Sequence, residues 1–250
     1  MNVTIFSKDR ACQLELLLRS IRDFTDIGMV EVIGIASDEE YSQGYEDLFD
    51  MGYKVNYRKE VNFNHELIYS INPDDPYTMF LTDDAFFTDL FSVKEIHLEE
   101  DTAAHSLLLG RNIIWAYELI RDVTQPSIPK WVWKDADVDF NYPMGVIGNI
   151  WRTSDILPKL IDLDYHHPCY VEGELASHPI NKPYMTCNEY SRVAHIANNK
   201  VNFDFPHNKC GGGNPKDLND KFLNGERIVL EKIRPKSVHS EMEYKFERME

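Results

Sequence analysis

Cysteine is scarce in this 250-residue chain: Cys12, Cys169, Cys187 and Cys210 are the whole complement, and they lie far apart. That excludes the disulfide framework that staples small secreted domains. No apolar run approaches the roughly 20 residues needed to span a bilayer. The first residues enter a strand pattern at once, without the basic and apolar regions of a signal peptide, so a cytoplasmic protein with no membrane span is expected. Basic residues are also in deficit, 26 Lys and Arg against 42 Asp and Glu, for a formal net charge of -16. Nucleic acid is therefore not an expected partner, because binding it needs cations that displace counterions from phosphate. An anionic membrane surface is disfavoured for the same reason. Two phosphate-binding signatures are missing as well. No Gly-x-Gly-x-x-Gly follows the first strand and no Gly-x-x-x-x-Gly-Lys-Ser/Thr occurs anywhere, which removes the usual phosphate cradles of dinucleotide and P-loop proteins. Internal repeats and low-complexity linkers are absent too.

What is present is the composition of a globular protein, 43% hydrophobic and 27% charged, long enough to bury a sizeable core. Val3 to Phe6 reads as a strand, Ser7-Lys8-Asp9-Arg10 as a polar turn, and Leu14, Leu17, Leu18 and Ile21 recur at helical spacing. A second strand, Glu31 to Ser37, ends at Asp38, where the acids 38–40 favour a helix start. Tyr53 to Tyr57 alternates as a third strand, and Phe63 to Ile71 forms a short helix. The fourth strand is the apolar run from Tyr77, ending in Asp83-Asp84. Four strands alternating with helices predict a doubly wound, mostly parallel α/β sheet. Carboxyl ends of strands in such sheets border the ligand crevice. Two carboxylates there suit Mg²⁺ or Mn²⁺ beside a diphosphate, or one of them caps the next segment.

The first strand with Ser7-Lys8-Asp9-Arg10, the second ending at Asp38, and the apolar strand ending Thr82-Asp83-Asp84 resemble the nucleotide-sugar half of GT-A glycosyltransferases, most closely family 2. The resemblance implies a single GT-A-like domain over residues 1–250, with helices on both faces of the sheet. Residues to about 110 would hold the nucleotide-sugar donor, and about 111–250 the acceptor. It implies transfer of a sugar, of hexosyltransferase type, from a nucleotide diphosphate sugar to an acceptor hydroxyl, with Mn²⁺ or Mg²⁺ as cofactor. The family's Asp-x-Asp motif falls on Thr82-Asp83-Asp84, with Thr82 in its first place. By that match Asp84 ligates the metal, and Asp83 serves the ribose or a metal-bound water. Several GT-A families bring a C-terminal His to the metal, a role that falls to His239. Asp38 would read the base or ribose, with Ser7 in the donor site, while Lys8 and Arg10 either touch phosphate there or are solvated charges.

Beyond residue 90 the pattern predicts a short helix over 91–99, a strand over 103–110, and a Gly-containing strand from Tyr142 to Arg152 before a helix over 155–161. Residues 112–140 interleave Trp115, Tyr117, Trp131 and Trp133 with Asp135, Asp137 and Asp139. They suit sugar stacking and hydroxyl recognition, or equally the core of a half-buried hairpin. Glu172 and Glu174 flank Gly173 ahead of a helix at Leu175, where the resemblance places an acceptor-contacting acid. Glu172 is the first candidate base and Glu174 the second. A helix is expected over 184–197 and an edge strand over 201–205. Cys210 to Pro215, with three consecutive glycines, would form a lid or a plain loop. The pairs His166-x-x-Cys169 and His207-x-x-Cys210 have the ingredients of a zinc site but not its usual spacing. Two rival functions remain: nucleotidyl transfer to a sugar phosphate, disfavoured by the Gly-free first turn, and a non-catalytic carbohydrate- or nucleotide-binding protein.

Overall fold

The computed structural model describes residues 1–201, 210–240 and 242–248. The strands are β1 Asn2–Lys8, β2 Val30–Ile35, β3 Val55–Lys59, β4 Tyr77–Thr82, β5 Ala85–Phe87, β6 Thr102–Ser106, β7 Trp115–Ala116, β8 Arg121–Asp122, β9 Lys130–Val132, β10 Asn149–Arg152, β11 Tyr184–Cys187, β12 Val193–Ile196, β13 Glu226–Ile228, β14 His239–Ser240 and β15 Phe246–Arg248. The helices are α1 Ala11–Phe24, α2 Glu39–Asp50, α3 Phe63–Tyr69, α4 Thr153–Asp162, α5 Pro168–Ser177 and α6 Pro215–Leu223.

Eight strands form the central sheet in the order β3-β2-β1-β4-β10-β6-β11-β9. The first four are parallel, β10 runs antiparallel between β4 and β6, and β9 closes the far edge antiparallel to β11. This is the mostly parallel α/β architecture expected of a GT-A-like fold. Alternation along β1 explains its two covered faces. Thr4 meets Ser70 at 2.8 Å and Phe6 meets Phe63 of α3 at 5.3 Å on one side. Ser7 meets Tyr45 of α2 on the other, at 2.7 Å. The β4 run Met79-Phe80-Leu81 is wholly buried, as a strand covered on both faces must be. Phe80 and Trp151 of the neighbouring β10 pack at 5.4 Å.

A smaller sheet, β14-β12-β5, leaves the main one just after Asp83-Asp84. It overturns the helix expected over 184–197, which is instead two strands, β11 and β12, joined by a turn. Residues 91–99 hold only a 3₁₀ turn, Val93–Glu95. The strand expected over 103–110 stops at Ser106, and that expected from Tyr142 is confined to β10, preceded by Gly148 at φ +66°. The edge strand over 201–205 lies, beyond Val201, outside the described residues. The Gly-rich segment is stitched to the chain after β12: the Gly211 and Gly213 N–H groups donate to the carbonyls of Ala197 and Asn198 at 2.6 and 2.9 Å.

Candidate functional site

The turn after β1 sets the geometry. Asp9 sits in the left-handed region at φ +56°, a conformation Asp tolerates better than most residues. Its N–H donates to the Ile35 carbonyl at 3.1 Å, and its carboxylate accepts the Ser37 N–H at 2.7 Å. This ties the ends of β1 and β2 together without a glycine and delivers Arg10 to the start of α1. β4 delivers Asp83 and Asp84 beside it, both buried.

Arg10 bridges the acid pair. One guanidinium nitrogen, Nη1, donates to Asp83 Oδ1 at 3.0 Å and to Asp84 Oδ2 at 2.8 Å. Its Nε donates to Asn199 Oδ1 at 2.7 Å, and Nη2 donates to the Asn199 carbonyl. The remaining carboxylate oxygens are also engaged. Asp83 Oδ2 accepts Ser7 Oγ at 2.9 Å and the Lys8 N–H at 3.1 Å. Asp84 Oδ1 accepts Thr82 Oγ1 at 2.7 Å and lies 3.1 Å from His195 Nε2. Behind it, His195 and His239 are direct partners in the β12–β14 ladder, so both rings project from one face. Their Nδ1 atoms meet at 2.7 Å, one donating and the other accepting.

Burial drives the electrostatics. It pushes Asp83 up to about 6 against the pull of Arg10. Burial acts on Asp84 too, but His195 and Arg10 beside it outweigh that and hold it far below the usual carboxylate range. Of the two acids, Asp83 takes the first proton. Enclosure, with His195 adjacent, pulls His239 down to about 3, so this ring is neutral at physiological pH.

Ser7, Lys8, Arg10, Asp83, Asp84, Glu172 and His239 all line one cavity of about 670 Å³, at the carboxyl ends of the parallel strands. A second cavity of about 190 Å³ adjoins it, sharing Val146, Ile147, Glu172 and His239 and adding Asp139, Tyr142 and Asn149. Glu172 thus stands where the two spaces meet. It lies within α5 rather than ahead of a helix. Burial raises its carboxyl, opposed by hydrogen bonds from the Tyr142 hydroxyl and the Val146 N–H. Burial likewise pushes Asp139 up to about 6.

Two expected site residues fall elsewhere. Asp38 is the exposed N-cap of α2, accepting the Tyr41 N–H at 3.0 Å, and does not line the cavity. Glu174 is two residues along α5 from Glu172, so it points away from that side chain, and it lies 3.7 Å from His178. The aromatic-acidic stretch divides its labour: Trp131 and Trp133 are core, Asp137 pairs with Arg121 at 2.6 Å, and Asp139 and Tyr142 reach the smaller cavity. Of the zinc candidates, His166 packs on Tyr170 at 4.3 Å, Cys169 and Cys210 line the large cavity, and His207 lies outside the described residues.

His195 and Asn199 are functional candidates that the sequence reading missed. Both became visible only once 193–196 proved to be a strand. Val193-Ala194-His195-Ile196 does not alternate apolar with polar, and all four residues are buried, so the stretch carries no period-2 signature of a strand.

The divalent cation that the GT-A resemblance implies does not fit these donors as they stand. His239 faces His195 rather than Asp84, and every oxygen of both carboxylates already has a protein partner. Among the described residues, no three His, Cys, Asp or Glu side chains converge as a metal-binding group.

No protein-family profile matches the chain. It is 27% identical to the bifunctional glycosyltransferase pgtA of Dictyostelium discoideum, over 80% of this chain and 32% of that protein. The chain therefore spans about a third of the relative's length. Among solved structures it is similar to the 4-diphosphocytidyl-2C-methyl-D-erythritol synthase of Anaerococcus prevotii DSM 20548, with a TM-score of 0.42 and 10% identity, over 76% of this chain and 88% of that one. Among the described residues no helix is long and apolar enough to cross a membrane. The chain is thus a distant homologue of a glycosyltransferase.

Proposed function

We propose that this chain transfers a sugar from a nucleoside diphosphate sugar to an acceptor hydroxyl. The observation that carries the reading is the pair of adjoining cavities with Glu172 at their junction. The larger space, at the strand ends, has room for a nucleotide diphosphate, with Ser7, Lys8 and Arg10 in its lining. The smaller space has the size of a single sugar ring or a comparable hydroxyl compound. Its Asp139, Tyr142 and Asn149 offer polar contacts against the apolar Leu108, Val146 and Val238.

Glu172 is the base of this reading. A carboxylate whose proton affinity is raised by burial is a better acceptor for a hydroxyl proton than an ordinary one. The acceptor O–H gives its proton to Glu172 as the oxygen bonds to the anomeric carbon. The bond from that carbon to the diphosphate oxygen breaks, and the nucleoside diphosphate leaves with the electron pair. Attack opposite the leaving group inverts the anomeric centre.

The test is to incubate the protein with a panel of nucleoside diphosphate sugars and measure both thermal stabilisation and release of free nucleoside diphosphate. The donor should raise the melting temperature, because it binds only the folded state, and release should accelerate with a matching acceptor. Pyrophosphate release from a nucleoside triphosphate and a sugar phosphate would instead establish nucleotidyl transfer and overturn this assignment.

A further inference from the structure

Two adjacent buried carboxylates are costly unless a positive charge compensates them. In a metal-dependent site a divalent cation does this. Here a guanidinium nitrogen lies 3.0 Å from one acid and 2.8 Å from the other. The group is itself buried and held from behind by the Asn199 side chain and carbonyl. Gln13 Nε2 fixes the same Asn199 oxygen at 3.2 Å, so the arginine has a built seat rather than a chance contact. Arginine keeps its charge throughout the working pH range, and the two acids raise its proton affinity further despite burial. A metal ion could reach Asp84 only by displacing Arg10, Thr82 or His195.

We propose that Arg10 is the resident cation of the Asp83–Asp84 pair, standing where a divalent metal would otherwise lie, so that a nucleoside diphosphate binds this cavity without Mn²⁺ or Mg²⁺. The nucleotide part of this inference rests on the function proposed above; the occupancy of the acid pair does not. Lys8 and Lys200 line the same cavity and bring positive charge to it, and Glu60, Glu118 and Glu172 line it as well. Arg10 acts here as a positioning residue. It offsets one of the two negative charges and holds the acids with their hydrogen-bonding edges set, which leaves Lys8 to meet the ligand's charge.

Three measurements decide the matter. The first titrates Mn²⁺ alone into the protein and follows free Mn²⁺ by electron paramagnetic resonance. The expected result is no stoichiometric binding, and one tightly bound ion per chain would overturn the proposal. The second titrates UDP and GDP calorimetrically in EDTA and again with Mn²⁺. Affinity for the nucleotide that binds should differ by less than about threefold between the two conditions. A gain of about tenfold or more with metal would refute metal independence while leaving the nucleotide reading intact. No binding under either condition would sink the nucleotide reading, and the Mn²⁺ titration would still judge the role of Arg10. The third repeats the Mn²⁺ titration with Arg10→Ala, which frees the acids: Mn²⁺ binding should appear and raise the melting temperature. A folded Arg10→Ala that ignores Mn²⁺ would show that the pair cannot hold a metal, and so that Arg10 replaces none. Should that variant not fold, the two measurements on the unaltered protein remain decisive.

Discussion

Replacing Arg10 by methionine keeps much of the buried stem and removes only the charge and its donors. Asp83 and Asp84, 3% and 8% exposed, would then share a desolvated site without the guanidinium that bridges them. Breaking a buried ion pair from one side costs about 3–5 kcal/mol, and that is the loss expected at pH 8. The loss should shrink on acidification. Asp83 is already raised to about 6 with the guanidinium present, and removing that charge raises it further. Between the unfolded carboxylate value and this raised value, the folded variant holds a proton that the unfolded chain lacks. Its stability therefore increases as pH falls, by roughly 1.4 kcal/mol per unit for one proton. Relative to the unaltered protein, about 2 kcal/mol of the loss should be regained by pH 5, since part of the same gradient exists before substitution. Urea unfolding followed by tryptophan fluorescence at pH 5 and pH 8 measures both quantities. A loss below about 1 kcal/mol at both values, as a solvated surface pair would give, would refute the picture of a desolvated pair held by one arginine.

Glu172→Gln should abolish sugar transfer while leaving nucleotide affinity within about twofold. In the unaltered protein the proposed transfer should speed up with pH through a midpoint above the ordinary carboxylate value, because burial raises this group and only its ionised form accepts the proton. His195→Phe removes the contact to Asp84 Oδ1 and leaves His239 Nδ1 facing an apolar ring, for an expected loss of about 1–3 kcal/mol in denaturant unfolding; an unchanged midpoint would show that the Asp84–His195–His239 chain contributes nothing to stability. Gly110→Ala places a Cβ 2.5 Å from the Ser191 backbone nitrogen and 2.7 Å from Tyr190 backbone atoms. Main chain cannot yield there as a side chain would, so a melting-temperature drop equivalent to about 1–3 kcal/mol is expected.

Much of the front of the sheet could be read from residues alone. β1 to β4 are short apolar runs separated by helical periodicity, and each signal lies within a window of a dozen residues, which is enough to predict a mostly parallel sheet. The carboxyl-end position of Asp83-Asp84 followed from the same local pattern. What could not be read was who meets the pair. Arg10 and Asp84 are separated by 74 positions, and nothing local distinguishes an arginine that faces solvent from one that turns inward between two acids. Residues 184–197 misled for a different reason. Two four-residue strands separated only by residues 188–192 are each too short to set a period, and it is tertiary pairing with β6, β9 and β5 that makes them strands. That error hid His195, and with it the link from Asp84 to His239. Asp38, the acid that ends β2, has a helix N-terminus next to it, and its side chain caps that end.

The seat of Arg10 has a bearing on how the molecule is made. Arg10 and Asn199 are 189 positions apart in the chain, and the His195 partner arrives only at residue 239. A growing polypeptide has both aspartates and the arginine in hand long before the elements that enclose them emerge from the ribosome. During that interval the trio lacks Asn199, His195 and His239, the partners that enclose it, and the pocket is complete only when the closing strand pairs with β12. Completion of the site is consequently among the last events of folding, as contacts of such long sequence separation require. Nascent chains halted short of that strand would carry the front of the sheet without its binding chamber.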